Sequence, residues 1–249
     1  MELQENERID DLHIKDYKII QNTQGFRFGM DAVLLTGFAN VQSGENHLDL
    51  GTGTGIIPIL LEAKYNGKSY MGLEIQEPFV DMAIRSVKLN KIEDKITIIH
   101  GDIKEADKLL PLSSFDVITC NPPYMNMGKG MTNPSSVKAI ARHEVMCDLE
   151  DVIRVTSRLV KVGGRFYMVH RPQRLIEIIE ILRQYRMEPK RIRMVHSFVD
   201  KEATMVLIEA VRYANPLIKV EPPLIIYKAV NQYSNEVLMI QGMEESCQN

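Results

Sequence analysis

Cysteine and histidine are scarce in this chain of 249 residues, and neither is grouped. The three cysteines, Cys120, Cys147 and Cys247, are odd in number and widely spaced, which fits a reducing cytoplasm. They have no metal-ligand spacing, and no pair among the six histidines has the spacing of a zinc site. We therefore expect a protein without a bound metal.

Long apolar runs and excess positive charge are also missing. No apolar stretch approaches the ~20 residues that a membrane-spanning helix needs. Residues 1–16 are acidic and lack the apolar core of a secretory signal, so we expect a cytoplasmic protein with no membrane partner. The formal net charge of −3 does not favour nucleic-acid binding by the chain as a whole. Local basic clusters such as residues 183–193 can still bind it.

The sequence is instead rich in short apolar runs that alternate with amphipathic stretches, a pattern that predicts an α/β fold. We expect a seven-stranded, mostly parallel sheet with an antiparallel hairpin at one edge. The predicted strands are residues 47–50, 70–74, 95–100, 115–120, 165–170, 191–196 and 204–211. The predicted helices are residues 32–38, 55–64, 78–90, 149–160 and 172–185, the fourth followed by a C-cap signal at Gly163-Gly164.

The predicted elements suggest three parts of one compact domain. Residues 1–40 form a cap region over one end of the sheet, and residues 41–212 form the main domain. Residues 213–249, where prolines interrupt the apolar pattern, form a carboxyl-terminal extension.

A glycine-rich turn, Asp49-Leu50-Gly51-Thr52-Gly53-Thr54-Gly55, joins the first of these strands to the helix after it. Glycines at alternate positions permit positive φ angles and the close approach of a ligand to the backbone. Ile56 stands where a dinucleotide fingerprint has its third glycine, and the Lys-Ser/Thr pair of a P-loop is missing. The turn therefore suits an uncharged or zwitterionic nucleoside.

Two acidic residues follow the next two predicted strands. Glu74 can accept hydrogen bonds from both hydroxyls of a ribose, and Asp102 can accept one from an adenine amino group. Each has a simpler interpretation, Glu74 as a solvated strand end and Asp102 as a helix N-cap. The carboxyl ends of parallel strands line one crevice, so suitable groups at consecutive strand ends favour a ligand site.

The tetrapeptide Asn121-Pro122-Pro123-Tyr124 follows the predicted strand at residues 115–120. The prolines end the strand and carry no N–H group, which leaves carbonyl oxygens, a side-chain amide and an aromatic ring. That set can hold a planar amino group, with two acceptors for its hydrogens and a π-face for its ring. A rigid turn is the alternative interpretation.

In combination, these motifs resemble the class I S-adenosylmethionine-dependent methyltransferases of the Asn-Pro-Pro-Tyr type, which have a Rossmann-like fold and methylate amino nitrogens. The resemblance covers residues 25–212 and implies S-adenosylmethionine as cofactor. It places the methionine portion at Asp49 and the glycine turn, the ribose at Glu74 and the adenine at Asp102. The cofactor-binding residues that it implies are Arg27, Asp31, Asp49, Gly51, Thr52, Gly53, Gly55, Glu74, Ile75, Asp102, Ile103 and Asn121.

Within that group the chain is most similar to the bacterial tRNA1(Val) (adenine-37-N6)-methyltransferases. The similarity rests on residues 25–35, on the loop after Tyr124 and on Ala141-Arg142-His143-Glu144. It implies a tRNA partner. The catalytic residues that it implies are Asn121, Pro122 and Tyr124, and the substrate-binding residues are Pro123, Tyr124, Lys129, Lys138, Arg142 and His143.

Several of these assignments have alternatives. Residues 125–147 are interpreted as an RNA-facing lid or as a plain mobile loop, and Asp31 as a cofactor ligand or as a helix N-cap.

Related Asn-Pro-Pro-Tyr enzymes methylate adenine in DNA or rRNA, or glutamine in release factors. The glutamine enzymes usually carry a helical amino-terminal domain, whereas only 40 residues precede the main domain here. A non-catalytic cofactor-binding RNA module is the last alternative, and the intact motif at residues 121–124 argues against it.

Overall fold

The chain alternates strands and helices, and the computed structural model describes residues 3–24, 28–122 and 147–243. The amino-terminal elements are β1 (Glu7–Asp11), β2 (Lys18–Asn22) and α1 (Met30–Phe38). The central elements are β3 (Asn46–Leu50), α2 (Ile56–Lys64), β4 (Ser69–Glu74), α3 (Glu77–Leu89), β5 (Ile96–His100), α4 (Ala106–Leu109), β6 (Phe115–Cys120), α5 (Leu149–Leu159), β7 (Val160–His170), α6 (Leu175–Gln184), β8 (Met187–His196) and β9 (Ala203–Arg212). The last elements are β10 (Lys219–Val220), β11 (Leu224–Ile225), β12 (Tyr227–Ala229), β13 (Gln232–Tyr233) and α7 (Asn235–Ile240).

A nine-stranded sheet lies at the centre of the molecule, in the order β10-β8-β9-β7-β6-β3-β4-β5, with β11 also paired to β8. The strands β3 to β7 pair in parallel, whereas β9 is antiparallel to both β7 and β8. The prediction of a mostly parallel sheet with an antiparallel pair towards one edge is confirmed. The short strands β10 and β11 extend the sheet beyond β8. Chain order reverses between β3 and β6, which makes this pair the topological switch point.

Apolar residues fill both faces of the sheet, as expected for parallel strands that are covered by helices on each side. Helices α1, α2 and α3 contribute to one core cluster, which includes Val117 of β6. Helices α4, α5 and α6 contribute to the other, which includes Leu48 of β3 and Ile118 of β6. No helix in the described part of the chain is both long enough and apolar enough to cross a membrane.

The predicted C-cap at Gly163-Gly164 is wrong, because both glycines lie inside β7. Helix α5 ends at Leu159, and the next residue, Val160, is already paired with Phe115 of β6. The register between the two strands then shifts, and Gly163 has a φ of +77°. Glycine here permits an irregularity within a strand, a role that its sequence signal does not distinguish from a helix end.

The segments on either side of the central elements both pack against them. Arg85 of α3 forms ion pairs with Glu7 of β1 (2.5 Å) and with Asp81 (2.7 Å), which attaches the amino-terminal hairpin to α3. At the other end of the chain, Ile240 of α7 lies against Gly37 of α1, where a Cβ would come within 2.6 Å of it. The domain boundaries stay predictions.

Candidate active site

The carboxyl ends of β3, β4, β5 and β6 meet at one edge of the sheet. Leu50 of β3 pairs with Leu73 of β4 and with Cys120 of β6, so the glycine turn and Asn121 flank the switch point. Ligands of open α/β sheets bind at this position. A small pocket opens there, lined by Phe28, Ala32, Gly51, Thr52, Gly53, Thr54, Ile56, Ile57 and Asn121. No group of three His, Cys, Asp or Glu side chains suited to a metal ion occurs among the residues described.

The glycine turn requires glycine for its backbone angles. Gly51, Gly53 and Gly55 have φ values of +73°, +56° and +85°, in the left-handed region that other residues rarely adopt. The amides of Gly51 and Thr52 both donate to the carbonyl oxygen of Leu73, at 2.9 and 3.0 Å, and hold the turn over β4. A Cβ at Gly53 would meet nothing within 4 Å. The turn therefore leaves open space beside its backbone.

Glu74, at the end of β4, is buried rather than solvated. Its Oε2 accepts a hydrogen bond from the amide of Gly53, and its Oε1 accepts one from the amide of Gln76, both at 2.9 Å. This excludes the interpretation of Glu74 as a solvated strand end. A carboxylate oxygen has two lone pairs, so each oxygen can accept one further donor, such as a ribose hydroxyl.

Asp102 and its neighbour Ile103 lie at the end of β5, beside the glycine turn. Asp102 caps the 3-10 turn Ile103–Glu105, with Oδ1 accepting from the amide of Lys104 at 2.9 Å. The N-cap interpretation is therefore correct for that oxygen. Ile103 Cδ1 lies 3.7 Å from the position that a Cβ on Gly51 would take. On the neighbouring strand end, the carbonyl oxygen of Ile75 lies 2.9 Å from an imidazole nitrogen of His100.

Asp31 lies in the first turn of α1, and its Oδ1 accepts from the amide of Ala32 at 2.9 Å. Its interpretation as an N-cap is wrong, because the N-cap of α1 is Gly29. Met30 already has a helical conformation, which places Asp31 inside the helix. As a cofactor ligand, Asp31 stays a prediction.

Two of the expected catalytic residues, Asn121 and Pro122, follow β6 directly and are half-buried. Seven further expected site residues lie outside the described part of the chain: Arg27, Pro123, Tyr124, Lys129, Lys138, Arg142 and His143. Their roles stay predictions, as does that of residues 125–147 as a lid.

Three polar side chains form a chain of hydrogen bonds inside the sheet, just before the glycine turn. His47 and Asp49 of β3 and Thr119 of β6 are all fully buried. Thr119 Oγ1 donates to Asp49 Oδ1 at 2.7 Å and lies 2.8 Å from His47 Nε2. No motif marks His47 or Thr119 in the sequence. The available signal was a pair of polar residues at alternate positions of β3 and a threonine near the end of the mostly apolar β6.

Burial changes the proton affinity of Asp49 and His47, which lie at the two ends of this series of hydrogen bonds. It raises the pKa of Asp49 to about 7, although the hydrogen bond from Thr119 acts in the opposite direction. Burial lowers the pKa of His47 to about 3, so its imidazole is neutral. The Thr52 hydroxyl lies close enough to the Asp49 carboxylate to lower its pKa as well, but neither Asp49 Oδ2 nor Thr52 Oγ1 has a well-aligned hydrogen bond among the described residues. Two orphaned polar atoms beside the glycine turn fit a ligand that supplies its own donors, as the amino-acid portion of S-adenosylmethionine does.

Gln21 of β2 connects the amino-terminal hairpin to the glycine turn. Its side chain is fully buried, and its Nε2 donates to Thr54 Oγ1 at 3.1 Å. Its Oε1 accepts from the amide of Phe28 at 3.4 Å. Gln21 therefore bridges two segments that line the pocket. No sequence motif marks it, because the contact with Thr54 spans 33 residues.

Comparisons with known proteins agree with this geometry. A family profile described as "Methyltransferase domain" matches residues 41–211. The chain is 30% identical over 240 residues to the tRNA1(Val) (adenine(37)-N6)-methyltransferase of Porphyromonas gingivalis, and the alignment covers 93% of each protein. The protein of the same name from Aliivibrio salmonicida is 26% identical over 227 residues, which cover 91% of this chain and 93% of that protein. A crystal structure of a predicted O-methyltransferase from Agrobacterium tumefaciens is similar in fold, with a TM-score of 0.69, 22% identity and coverage of 88% of this chain and 99% of that one.

Proposed function

This chain belongs to the methyltransferase family, and we propose that it transfers the methyl group of S-adenosylmethionine to the N6 amino group of adenine 37 in tRNA1(Val). The observation that carries the proposal is the position of Asn121 beside the glycine turn, across the switch point between β3 and β6. The turn expected to hold the cofactor and Asn121, the first residue of the motif expected to hold an amino group, therefore line one pocket. A tRNA substrate places the reaction in the cytoplasm.

In this proposal, different residues of the crevice bind different portions of the cofactor. Asp49 and the glycine turn hold the amino-acid portion, Glu74 accepts from the ribose hydroxyls, and Asp102 accepts from the adenine amino group. The buried Asp49 Oδ2, which has no partner among the described residues, supports the first of these roles. The hydrogen bonds that the Glu74 carboxylate accepts from the amides of Gly53 and Gln76 support the second, because they fix that carboxylate at the strand end.

S-adenosylmethionine supplies an electrophilic methyl group on a sulfonium centre. The adenine amino nitrogen is a poor nucleophile, since its lone pair is delocalised into the ring. The side-chain oxygen of Asn121 and the carbonyl oxygen of Pro122 accept its two hydrogens and favour a more tetrahedral nitrogen, whose lone pair is then free to react. The methylated amine would carry a positive charge and lose a proton to solvent without a strong general base, and S-adenosylhomocysteine would remain as the other product.

Orientation supplies much of the rate enhancement in this mechanism, and holding two reactants in place can lower a barrier by ~7–11 kcal/mol. The target base must leave its stack, which costs a few kcal/mol in a duplex and less in a single-stranded loop. Tyr124 is expected to stack on the base, and such stacking contributes ~1–3 kcal/mol per base.

A tRNA substrate is favoured over DNA or protein by the relatives that cover nearly the whole chain, since these are named for tRNA1(Val). The expected contacts of Lys129, Lys138 and Arg142 are to phosphates, so affinity for tRNA should fall steeply as salt concentration rises. Binding that does not change with salt would contradict this part of the proposal.

The decisive experiment is methyl transfer from labelled S-adenosylmethionine to purified transcripts. We expect label in a tRNA1(Val) transcript and none in a matched transcript in which guanine replaces adenine 37. Mass spectrometry of the digested product should identify N6-methyladenosine. Label in a DNA duplex or in a release factor, with none in tRNA, would replace the proposal with one of the alternative substrates. A tight cofactor complex that labels no acceptor would indicate a non-catalytic module.

A further inference from the structure

We propose that His47 is a positioning residue that acts through Thr119 to hold Asp49 as an ionised acceptor, with Asp49 Oδ2 left to receive the cationic amino group of the cofactor. This inference rests on the proposed function, because it requires S-adenosylmethionine or its product as the ligand. It assigns a role to two buried residues that touch neither the cofactor nor the substrate.

The three side chains share one face of the sheet because of strand register. Asp49 of β3 pairs with Thr119 of β6, and His47 lies two residues before Asp49 on the same strand. Side chains two residues apart on a strand point the same way, so His47 and Asp49 lie on either side of the Thr119 hydroxyl. Both contacts are short, at 2.8 Å to His47 Nε2 and 2.7 Å to Asp49 Oδ1.

The number of available protons determines which atom donates in each of these two hydrogen bonds. The hydroxyl of Thr119 has a single hydrogen, which it donates to Asp49. The contact with His47 must then be an N–H group on Nε2 that donates to Thr119 Oγ1. This tautomer leaves Nδ1 as an acceptor with no donor among the described residues. The reverse direction would leave an N–H on Nδ1 equally unsatisfied and would require a protonated Asp49, so it does not apply once pH exceeds the Asp49 pKa of about 7.

This direction of the hydrogen bonds favours the ionised form of Asp49. A hydrogen bond donated to a carboxylate stabilises its ionised form, and the imidazole strengthens that donor by bonding to the hydroxyl oxygen. Two effects oppose ionisation, namely complete burial and the nearby carboxylate of Glu74. The ring of Tyr70 packs against the imidazole, with 5.7 Å between the ring centroids. The nearby Thr52 hydroxyl also favours the ionised form, but Asp49 Oδ2 accepts no well-aligned hydrogen bond from the described residues. A cation that binds there would therefore stabilise the buried charge.

Two ligands can distinguish a role of His47 and Thr119 in positioning Asp49 from a role in packing alone. S-adenosylhomocysteine carries the amino-acid portion, whereas 5′-methylthioadenosine keeps the adenosine and the sulfur but has no amino or carboxyl group. Calorimetry should measure both affinities for wild type, Thr119→Val, Thr119→Ser, His47→Leu and His47→Gln. Thr156→Val of α5 is the matched control, because the Thr156 hydroxyl is also buried but has no hydrogen-bond partner within the described ranges. Thermal melting monitors folding.

We expect Thr119→Val to weaken S-adenosylhomocysteine binding by about tenfold or more, and methylthioadenosine binding by less than about twofold. His47→Leu should show the same selectivity with a smaller loss, and Thr119→Ser and His47→Gln should retain most of the affinity. Equal losses for both ligands, a loss that Thr156→Val reproduces, or no loss at all would overturn the inference. If wild type itself fails to bind S-adenosylhomocysteine, the proposed function fails, and this inference with it.

Discussion

Two pairs of strands in the same sheet differ in how their polar side chains are buried and paired. At the switch point, β3 and β6 bury the His47–Thr119–Asp49 chain completely and leave Asp49 Oδ2 without a partner in the described structure. Near the other edge, β8 and β9 keep their charges paired at the periphery. Arg191 forms an ion pair with Glu209 at 2.7 Å, and Arg193 forms one with Glu236 at 2.6 Å.

The difference separates a binding region from a scaffold. A buried polar atom without a partner costs ~1–3 kcal/mol, and a ligand bound at the switch point can recover part of that cost at Asp49 Oδ2. Arg191 Nε also lacks a well-aligned hydrogen bond among the described residues, but the protein itself compensates its charge. The guanidinium lies 2.7 Å from Glu209, donates to the carbonyl oxygen of Phe38 at 2.6 Å and packs over the ring of Phe38. Changes at the switch point should therefore affect ligand binding or turnover, and changes at the β8–β9 edge should affect stability alone.

The largest expected effect is that of Asn121→Ala. Loss of one acceptor for the amino hydrogens should lower turnover by about 10²- to 10³-fold, the range found when one oriented catalytic hydrogen-bonding group is removed. Affinity for S-adenosylhomocysteine should change little. Methylation of the tRNA1(Val) transcript and calorimetry measure the two quantities. Asn235→Ala on α7, where the side chain is exposed, is the control. Near-normal turnover of Asn121→Ala would contradict the mechanism.

Glu74→Gln and Glu209→Gln make the same chemical change in the two regions. Glu74→Gln replaces one carboxylate oxygen with a donor that cannot accept from an amide or a ribose hydroxyl. We expect cofactor affinity to fall by about tenfold or more, since hydrogen bonds to charged groups contribute ~1.5–3 kcal/mol. Glu209→Gln should lower the melting temperature slightly and leave cofactor affinity unchanged. Equal affinities in the two variants would remove the distinction between binding region and scaffold.

The raised pKa of Asp49 predicts a dependence of cofactor affinity on pH. As pH falls from 8 to 6 through about 7, Asp49 takes up a proton and loses its charge, so affinity for S-adenosylhomocysteine should decrease. His47 stays neutral across this range, because its pKa is lowered to about 3. In Asp49→Asn this pH dependence should disappear, as calorimetry at each pH can test.

Stability should depend on the same group with the opposite sign. The folded protein holds the Asp49 proton up to a pH of about 7, whereas the unfolded chain releases it near its ordinary value of 3.8. The contribution of Asp49 to the free energy of unfolding therefore decreases as pH rises through this window. Urea denaturation should show Asp49→Asn gaining stability relative to wild type between pH 4 and 7. A constant difference would contradict the raised pKa.

The smallest expected effect is that of Arg193→Met at the scaffold edge. The substitution removes the ion pair with Glu236 of α7 and a hydrogen bond to the carbonyl oxygen of Pro222. Because Glu236 is half exposed, the pair should contribute at most about 1 kcal/mol to the free energy of unfolding. Urea denaturation measures the loss, and cofactor affinity should be unchanged. A large loss of affinity would show that the carboxyl-terminal segment also supports the site.

Local chemistry explains which features were predictable. Apolar runs identified the seven main strands, and the spacing of Gly51, Gly53 and Gly55 identified a turn with positive φ angles. A local signal was misleading where a contact between distant residues determined the structure instead. Gly163-Gly164 has the local signal of a helix end, but pairing of Val160 with Phe115 starts the strand earlier.

The amino-acid sequence by itself determined the order of the elements, the conformation of the glycine turn and the chemical groups at each strand end, because these depend on residues close together in the chain. Only the tertiary structure placed β6 beside β3. That pairing brings Thr119 to Asp49 across 70 residues and to His47 across 72. No local pattern encodes such a contact, since it forms only when the sheet assembles and withdraws all three side chains from water.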